Sequence, residues 1–257
     1  MSFGISTSCL YPMNTEKSLE TLGNLGVKTC EIFLNSPSET TSEFAKILNA
    51  IKDNFGMRIA AVHPFSSFAE TYMLFSEYER RFDDTIGLYK RTFESAAMLG
   101  AKISIIHGAL LASKISDKRY FERFSRLYEA GKEYGITVCQ ENVNRHFGEN
   151  PDFLNRMKAE MGDDFRLVFD IKQAVRAGFN PLEFAEEFKQ NIAHIHISDH
   201  REGFDCLPPA KGCFDFKKLI SVMDSANYSG DYIIELYREN FKTPDDLKDA
   251  LIYMQNL

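Results

Sequence analysis

At 257 residues, with 44% hydrophobic and 26% charged side chains, the chain can bury one large core and is too apolar for a disordered protein. Its net charge of -7 and pI near 5.5 exclude a basic surface that would draw nucleic acid or an anionic membrane by long-range field. Five cysteines without a CxxC pair, no apolar run of membrane-spanning length and no basic leader predict a cytoplasmic protein with reduced thiols.

Apolar runs recur at residues 3–7 (FGIST), 28–33 (KTCEIF), 58–63 (RIAAVH), 103–107 (ISIIH), 136–141 (ITVCQE), 166–170 (RLVFD), 192–197 (IAHIHI) and 232–236 (YIIEL), and each predicts a strand. Helix signals fill the intervals. Phe75, Tyr78, Phe82, Ile86, Tyr89, Phe93 and Ala96 step toward Gly100 at helical spacing, and Tyr120, Phe124, Leu127, Tyr128 and Tyr134 do so toward Gly135. Asn150-Pro151, Asn180-Pro181 and Thr243-Pro244 each place a capping residue before a proline at the first helical position, and Asp245 and Asp246 suit the positive end of the last helix. Strict alternation of strand and helix predicts a parallel sheet covered by helices. Eight repeats in a chain of this length predict an α/β fold, a single (β/α)8 TIM barrel occupying residues 1–257 as one domain. An open doubly wound sheet would carry a glycine-rich phosphate loop, and neither GxGxxG nor GxxxxGK[ST] occurs.

His63, His107, Glu141 and Asp170 each close one of these runs, and His196 and Glu235 each lie one residue before the end of another. In a parallel barrel the carboxyl ends of the strands share one rim, where chemistry is assembled. Glu141, Asp170, His196 and Glu235 come from the four last predicted strands, close enough to converge on one cation. Three carboxylates and one imidazole favour Mn²⁺ or Mg²⁺, with Zn²⁺ or Co²⁺ as alternatives. Strand parity places Cys139 below Glu141 and His194 below His196, and turns Lys172 inward with Asp170 and Tyr237 with Glu235. An inward Lys172 is placed to hold a phosphate or carboxylate end of a substrate, provided carboxylates separate it from the metal.

The ordered set VHPF, IIHGA, QENVN, VFDIKQA, HIHISDH and IIELY resembles the xylose isomerase-like TIM-barrel superfamily over essentially the whole chain. That group includes sugar isomerases and epimerases, inosose dehydratases and endonuclease IV. The resemblance implies a carbohydrate substrate, a homo-oligomer in many members, and a divalent-metal-dependent isomerase or epimerase. Its single metal would sit on Glu141, Asp170, His196 and Glu235, with Glu141 and Glu235 as the acid/base pair. His63 and His107 match positions that contact substrate in sugar enzymes and bind a second zinc in endonuclease IV. Gln173 stands where many members have a substrate-contacting histidine, and Asp205 is followed by Cys206 and Leu207 where endonuclease IV has an Asp-x-His pair. Those departures argue against a three-metal abasic-site nuclease. A dehydratase of a keto-polyol remains the main alternative, followed by a barrel that binds a sugar phosphate without turning it over.

The segment 199–212 (DHREGFDCLPPAKG) has the Gly and Pro content of a mobile loop over the mouth, and its Arg201 and Lys211 are candidates for an anionic substrate group. His194 reads as structural, and His146 and His200 as solvated loop residues. The stretch YFERFSRLY is a core stripe.

Overall fold

A computed structural model describes residues 2–257. Its strands are β1 (Ser2–Ser6), β2 (Thr29–Phe33), β3 (Arg58–His63), β4 (Ile103–Ile106), β5 (Thr137–Glu141), β6 (Leu167–Asp170), β7 (Ile192–Ile197), β8 (Asp199–Arg201), β9 (Phe204–Leu207) and β10 (Asp231–Ile234). All but β8 and β9 pair in parallel and close into a barrel in the order β1-β10-β7-β6-β5-β4-β3-β2. The fold is therefore a (β/α)8 TIM barrel, and each predicted strand lies within two residues of an observed one.

The helices are α1 (Thr15–Asn24), α2 (Ser42–Phe55), α3 (Glu70–Met73), α4 (Glu79–Met98), α5 (Asp117–Lys132), α6 (Pro151–Met161), α7 (Ile171–Arg176), α8 (Pro181–Phe188), α9 (Phe216–Ser225) and α10 (Pro244–Gln255). Asn150 and Asn180 cap α6 and α8 as their Asn-Pro pairs predict, and Thr243 forms a capping box with Asp246 at α10. No helix among the described residues is long and apolar enough to cross a membrane.

One aromatic stripe starts later than its spacing predicts. Phe75 and Tyr78 precede α4, because the buried Arg123 guanidinium donates to the carbonyls of Leu74 and Ser76 and so takes acceptors that a continuous helix would use. Phe75 instead stacks on Tyr120, their ring centroids 4.0 Å apart.

Two cores hold the barrel. The larger fills the space between sheet and helices. The smaller packs Ala61, Ile105, Cys139 and Val168 together from four adjacent strands. Each of these lies two residues before His63, His107, Glu141 or Asp170, so strand alternation stacks a dry layer directly beneath a polar one.

The opposite rim is closed by a local ion pair. Arg58 at the start of β3 donates to both carboxylate oxygens of Asp231 at the start of β10, at 2.9 and 2.5 Å, and reaches Ser2 Oγ and Thr29 Oγ1 at 3.3 and 3.4 Å. In this pair one cation meets one anion.

The segment after β7 is not the loosely held loop that its composition predicts. It forms the β8–β9 hairpin, and the buried Asp199 carboxylate accepts from the backbone N–H groups of His200, Gly212 and Phe214 at 2.8, 2.8 and 2.9 Å. A Cβ at Gly212 would lie 2.3 Å from Asp199 Oδ1, so only glycine allows this clasp.

Candidate functional site

At the C-terminal rim, Glu141, Asp170, His196 and Glu235 bring one donor atom each to within 4.8 Å of one another. Asp170 and His196 are direct partners in the β6–β7 ladder. Glu141 closes β5, and Glu235 follows β10 while its N–H still bonds Ile197 O at 3.1 Å. His196 Nδ1 is the hub, 3.2 Å from Glu141 Oε1, 3.5 Å from Asp170 Oδ2 and 3.4 Å from Glu235 Oε2. Asp170 is locked by its neighbours: Asn142 clasps its backbone N–H and C=O at 2.7 and 3.0 Å, and Asp170 Oδ1 caps α7 by accepting from Gln173 N at 3.1 Å.

Beneath this quartet is a carboxylate that sequence reasoning missed. Glu31 sits in mid-strand on β2, fully buried, and its Oε2 accepts from His194 Nε2 at 2.9 Å and from His196 Nε2 at 3.0 Å. Donation from Nε2–H to Glu31 leaves Nδ1 of a neutral His196 unprotonated and facing the quartet. His194 is thus a structural partner one layer down. Ser6 Oγ donates to Glu31 Oε1 at 3.0 Å, and Ser8 Oγ lies 2.9 Å from Ser6 Oγ and 3.3 Å from Glu235 Oε1, so a chain of hydroxyls links the buried carboxylate to the rim. The available signal was a charged residue with buried neighbours inside the run KTCEIF.

His63 and His107 form a second group with Glu141. Their Nε2 atoms lie 3.6 and 3.2 Å from Glu141 Oε2, with ring centroids 4.7 Å apart, and Ser67 Oγ meets His63 Nδ1 at 2.8 Å. His146 is half-buried rather than solvated, its ring 5.9 Å from that of His107, and burial lowers its pKa. His200 is also half-buried, packed 5.6 Å from the Phe214 ring.

Lys172 does point inward, though for a different reason than strand parity. The strand ends at Asp170, and Lys172 enters on the first turn of α7, where its ammonium bonds Asp170 Oδ2 and reaches Glu235 Oε2 at 2.5 Å. Gln173 is buried and ties α7 to the loop after β5, since its Oε1 accepts from Asn144 N at 3.1 Å. Arg201 is not drawn into the cluster. It is exposed on the hairpin, 4.9 Å above the Phe204 ring, and Lys211 is exposed as well. The hairpin is latched instead by Arg176, whose Nε and Nη2 grip Asp205 at 2.5 and 3.1 Å while Nη1 donates to Tyr237 Oη at 2.7 Å.

The electrostatics follow from burial working against neighbours. Burial alone would raise the glutamates. His107, His196 and His63 nevertheless hold Glu141 well below the usual carboxylate range, His196 and His194 do the same for Glu31, and Lys172 and His196 lower Glu235. Burial opposes charge on Lys172 and His196, but the surrounding carboxylates raise both well above their ordinary values. Glu70, on the short α3, behaves differently. Burial pushes it up to about 7, although His107 is nearby and Gly108 N and Tyr89 Oη donate to it at 2.6 and 3.1 Å.

The donor set fits a divalent cation. Glu31, Glu141, Asp170 and Glu235 face one ammonium, that of Lys172, beside the His196 imidazole, and Glu141 Oε2 is buried near His63 and His107 without a well-directed hydrogen bond among the described residues. Beside Glu235 a cleft of about 530 Å³ opens between Ser8, Tyr11, Tyr237 and Phe241, a volume suited to a small ligand.

Several solved structures share this architecture, and curated relatives are similar in sequence. A D-tagatose 3-epimerase-like protein superposes with a TM-score of 0.82 at 22% identity, over 100% of this chain and 96% of its own. The 3-keto-D-glucoside 4-epimerase of E. coli does so with a TM-score of 0.80 at 17% identity, over 100% of both chains. An inosose dehydratase of Clostridium beijerinckii is 22% identical over 239 residues, 77% of this chain and 76% of that protein. With the family model for the xylose isomerase-like TIM barrel matching residues 19–257, the chain belongs to that family.

Proposed function

We propose that the protein is a carbohydrate isomerase or epimerase that works with a divalent ion held by Glu141, Asp170, His196 and Glu235. One observation carries the reading: four donor atoms, three of them carboxylate oxygens, gather within 4.8 Å at the C-terminal rim. Hard oxygen donors favour Mn²⁺ or Mg²⁺. Such an ion, when bound, polarises a substrate carbonyl and so acidifies the adjacent C–H.

Glu141 and Glu235 are the proton carriers. They approach from two sides of the quartet, since β6 and β7 lie between β5 and β10 around the barrel. One carboxylate, ionised, removes a proton from the carbon beside the carbonyl, and the other, which must enter the cycle protonated, delivers its proton to the opposite face, so that carbon is inverted and the two carboxyls exchange protonation states. His63 and His107, whose Nε2 atoms flank Glu141 Oε2, and the Tyr237 wall of the cleft would orient hydroxyl groups.

The test is exchange of substrate C–H with solvent deuterium, screened over ketoses and their phosphates with Mn²⁺ present. Glu141→Gln and Glu235→Gln are each expected to lower turnover by about 10²–10⁴-fold or more while the fold survives. Full activity in both variants overturns the assignment.

The sequence similarity to inosose dehydratases supports a second reading, loss of water from a keto-polyol at the same site. The same carboxylate removes the proton, and the opposite one protonates a departing hydroxyl. Appearance of an ultraviolet-absorbing enone identifies that outcome.

A further inference from the structure

Among the described residues, Lys172 carries the buried ammonium at this rim. Its side chain is 3% exposed, and its ammonium bonds Asp170 Oδ2 and Glu235 Oε2. Those are the same two oxygens that face His196 Nδ1 at 3.5 and 3.4 Å. The ammonium therefore draws on the donor atoms that a cation bound by the quartet would use. It is not a side chain that strayed there from solvent. The N-cap of α7 on Asp170 fixes where the helix starts, and the first turn then carries Lys172 over the carboxylates.

We propose that Lys172 is a built-in competitor of the divalent ion, so that loading requires the ion to displace the ammonium from at least one of these two carboxylates. The inference rests on the metal-dependent reading above and goes beyond it, because it assigns the exchangeability of the ion to a residue of this chain. Two positive charges cannot share the same pair of oxygens without strong repulsion at such short range. With the ion absent, the ammonium keeps Asp170 and Glu235 paired, and an unpaired buried carboxylate is costly. The protein thereby tolerates metal loss, and its affinity for the ion is held below what its carboxylates alone would give. Removing the ammonium while keeping the length and volume of the side chain isolates this effect, which makes Lys172→Met the informative change.

The experiment is calorimetric titration of Mn²⁺ into the metal-free full-length protein, wild type against Lys172→Met, with Lys172→Gln as a second variant. The expected result is at least tenfold tighter Mn²⁺ binding in the variants, about 1.4 kcal/mol. A second readout is thermal: chelation lowers the midpoint of Lys172→Met by more than that of wild type, and a variant that folds only when Mn²⁺ is supplied counts on the same side. Should neither variant be soluble, a crystal structure of Mn²⁺-loaded wild type decides, with Nζ expected beyond hydrogen-bond reach of Asp170 or Glu235. Equal affinities, or Nζ still bonded to both carboxylates beside a bound ion, overturn the role of Lys172 and leave the metal reading standing. No Mn²⁺ binding by wild type or by the variants overturns both.

Discussion

The two rims of the barrel use the same device, charged side chains at strand ends, to opposite effect. At the N-terminal rim Arg58 and Asp231 neutralise each other across β10, β1, β2 and β3, and hydroxyls of Ser2 and Thr29 complete the guanidinium's bonds. At the C-terminal rim four carboxylates, Glu31, Glu141, Asp170 and Glu235, face one ammonium and the His196 imidazole, so acids outnumber cations there, and Glu70 lies buried close by. A rim tied by a matched pair calls for no further ion. An unbalanced, buried one carries an electrostatic cost that a cationic ligand relieves, which is why charge balance separates the two ends more clearly than the identity of any single residue.

The sharpest way to probe that imbalance without touching the quartet is Glu70. Its carboxyl rises from 4.5 to about 7 on folding. Between those values the folded chain holds a proton that the unfolded chain has released. The associated stability is therefore complete below pH 4.5 and disappears as pH climbs through about 7. Glu70→Gln has no such proton to lose. Relative to wild type it should gain up to about 3 kcal/mol between pH 4.5 and pH 8, read from urea unfolding at both values. A constant difference across that range would mean that Glu70 is ionised throughout.

Glu31 tests the imbalance from below. Its carboxylate accepts from both His194 and His196, and outer partners of this kind set the tautomer and basicity of a metal-binding imidazole. Glu31→Gln retains the shape but removes the charge, and Mn²⁺ affinity is expected to drop by about 10–100-fold, or 1.4–2.7 kcal/mol. Unchanged affinity would show that packing alone orients His196.

How much of this was legible depended on whether the signal was local. A polar side chain at or one residue before the end of an apolar strand is visible in a few residues, so His63, His107, Glu141, Asp170 and His196 stand out, and the barrel gathers them at one end. Glu31 was hidden because its partners lie 163 and 165 residues away, and a charge inside a strand resembles any solvated edge position until the barrel closes. Glu70 had no pattern around it. It follows β3 on a single helical turn, and its partners Tyr89 and Gly108 arrive from α4 and from the end of β4. Gly108 in turn must be glycine, with φ of +87° and Tyr120 Oη 2.1 Å from where a Cβ would stand. For the β8–β9 hairpin composition misled, because glycine and proline mark turns whether or not a residue such as Asp199 ties them down.

The smallest effect is expected at the balanced rim. Arg58 is half-exposed, with a side chain 52% accessible, so its ion pair with Asp231 is screened by water despite the good bidentate geometry. Arg58→Ala should cost no more than about 1 kcal/mol, part of it from the lost packing of the side-chain stem over the strand ends. Turnover and Mn²⁺ affinity should stay as in wild type, because the dry layer of Ala61, Ile105, Cys139 and Val168 separates this rim from the quartet. Measured side by side, thermal midpoint and metal affinity discriminate the two ends. A change in Mn²⁺ affinity on removing Arg58 would mean that the two rims are coupled through the barrel interior, and the contrast between a closing end and a working end would then fail.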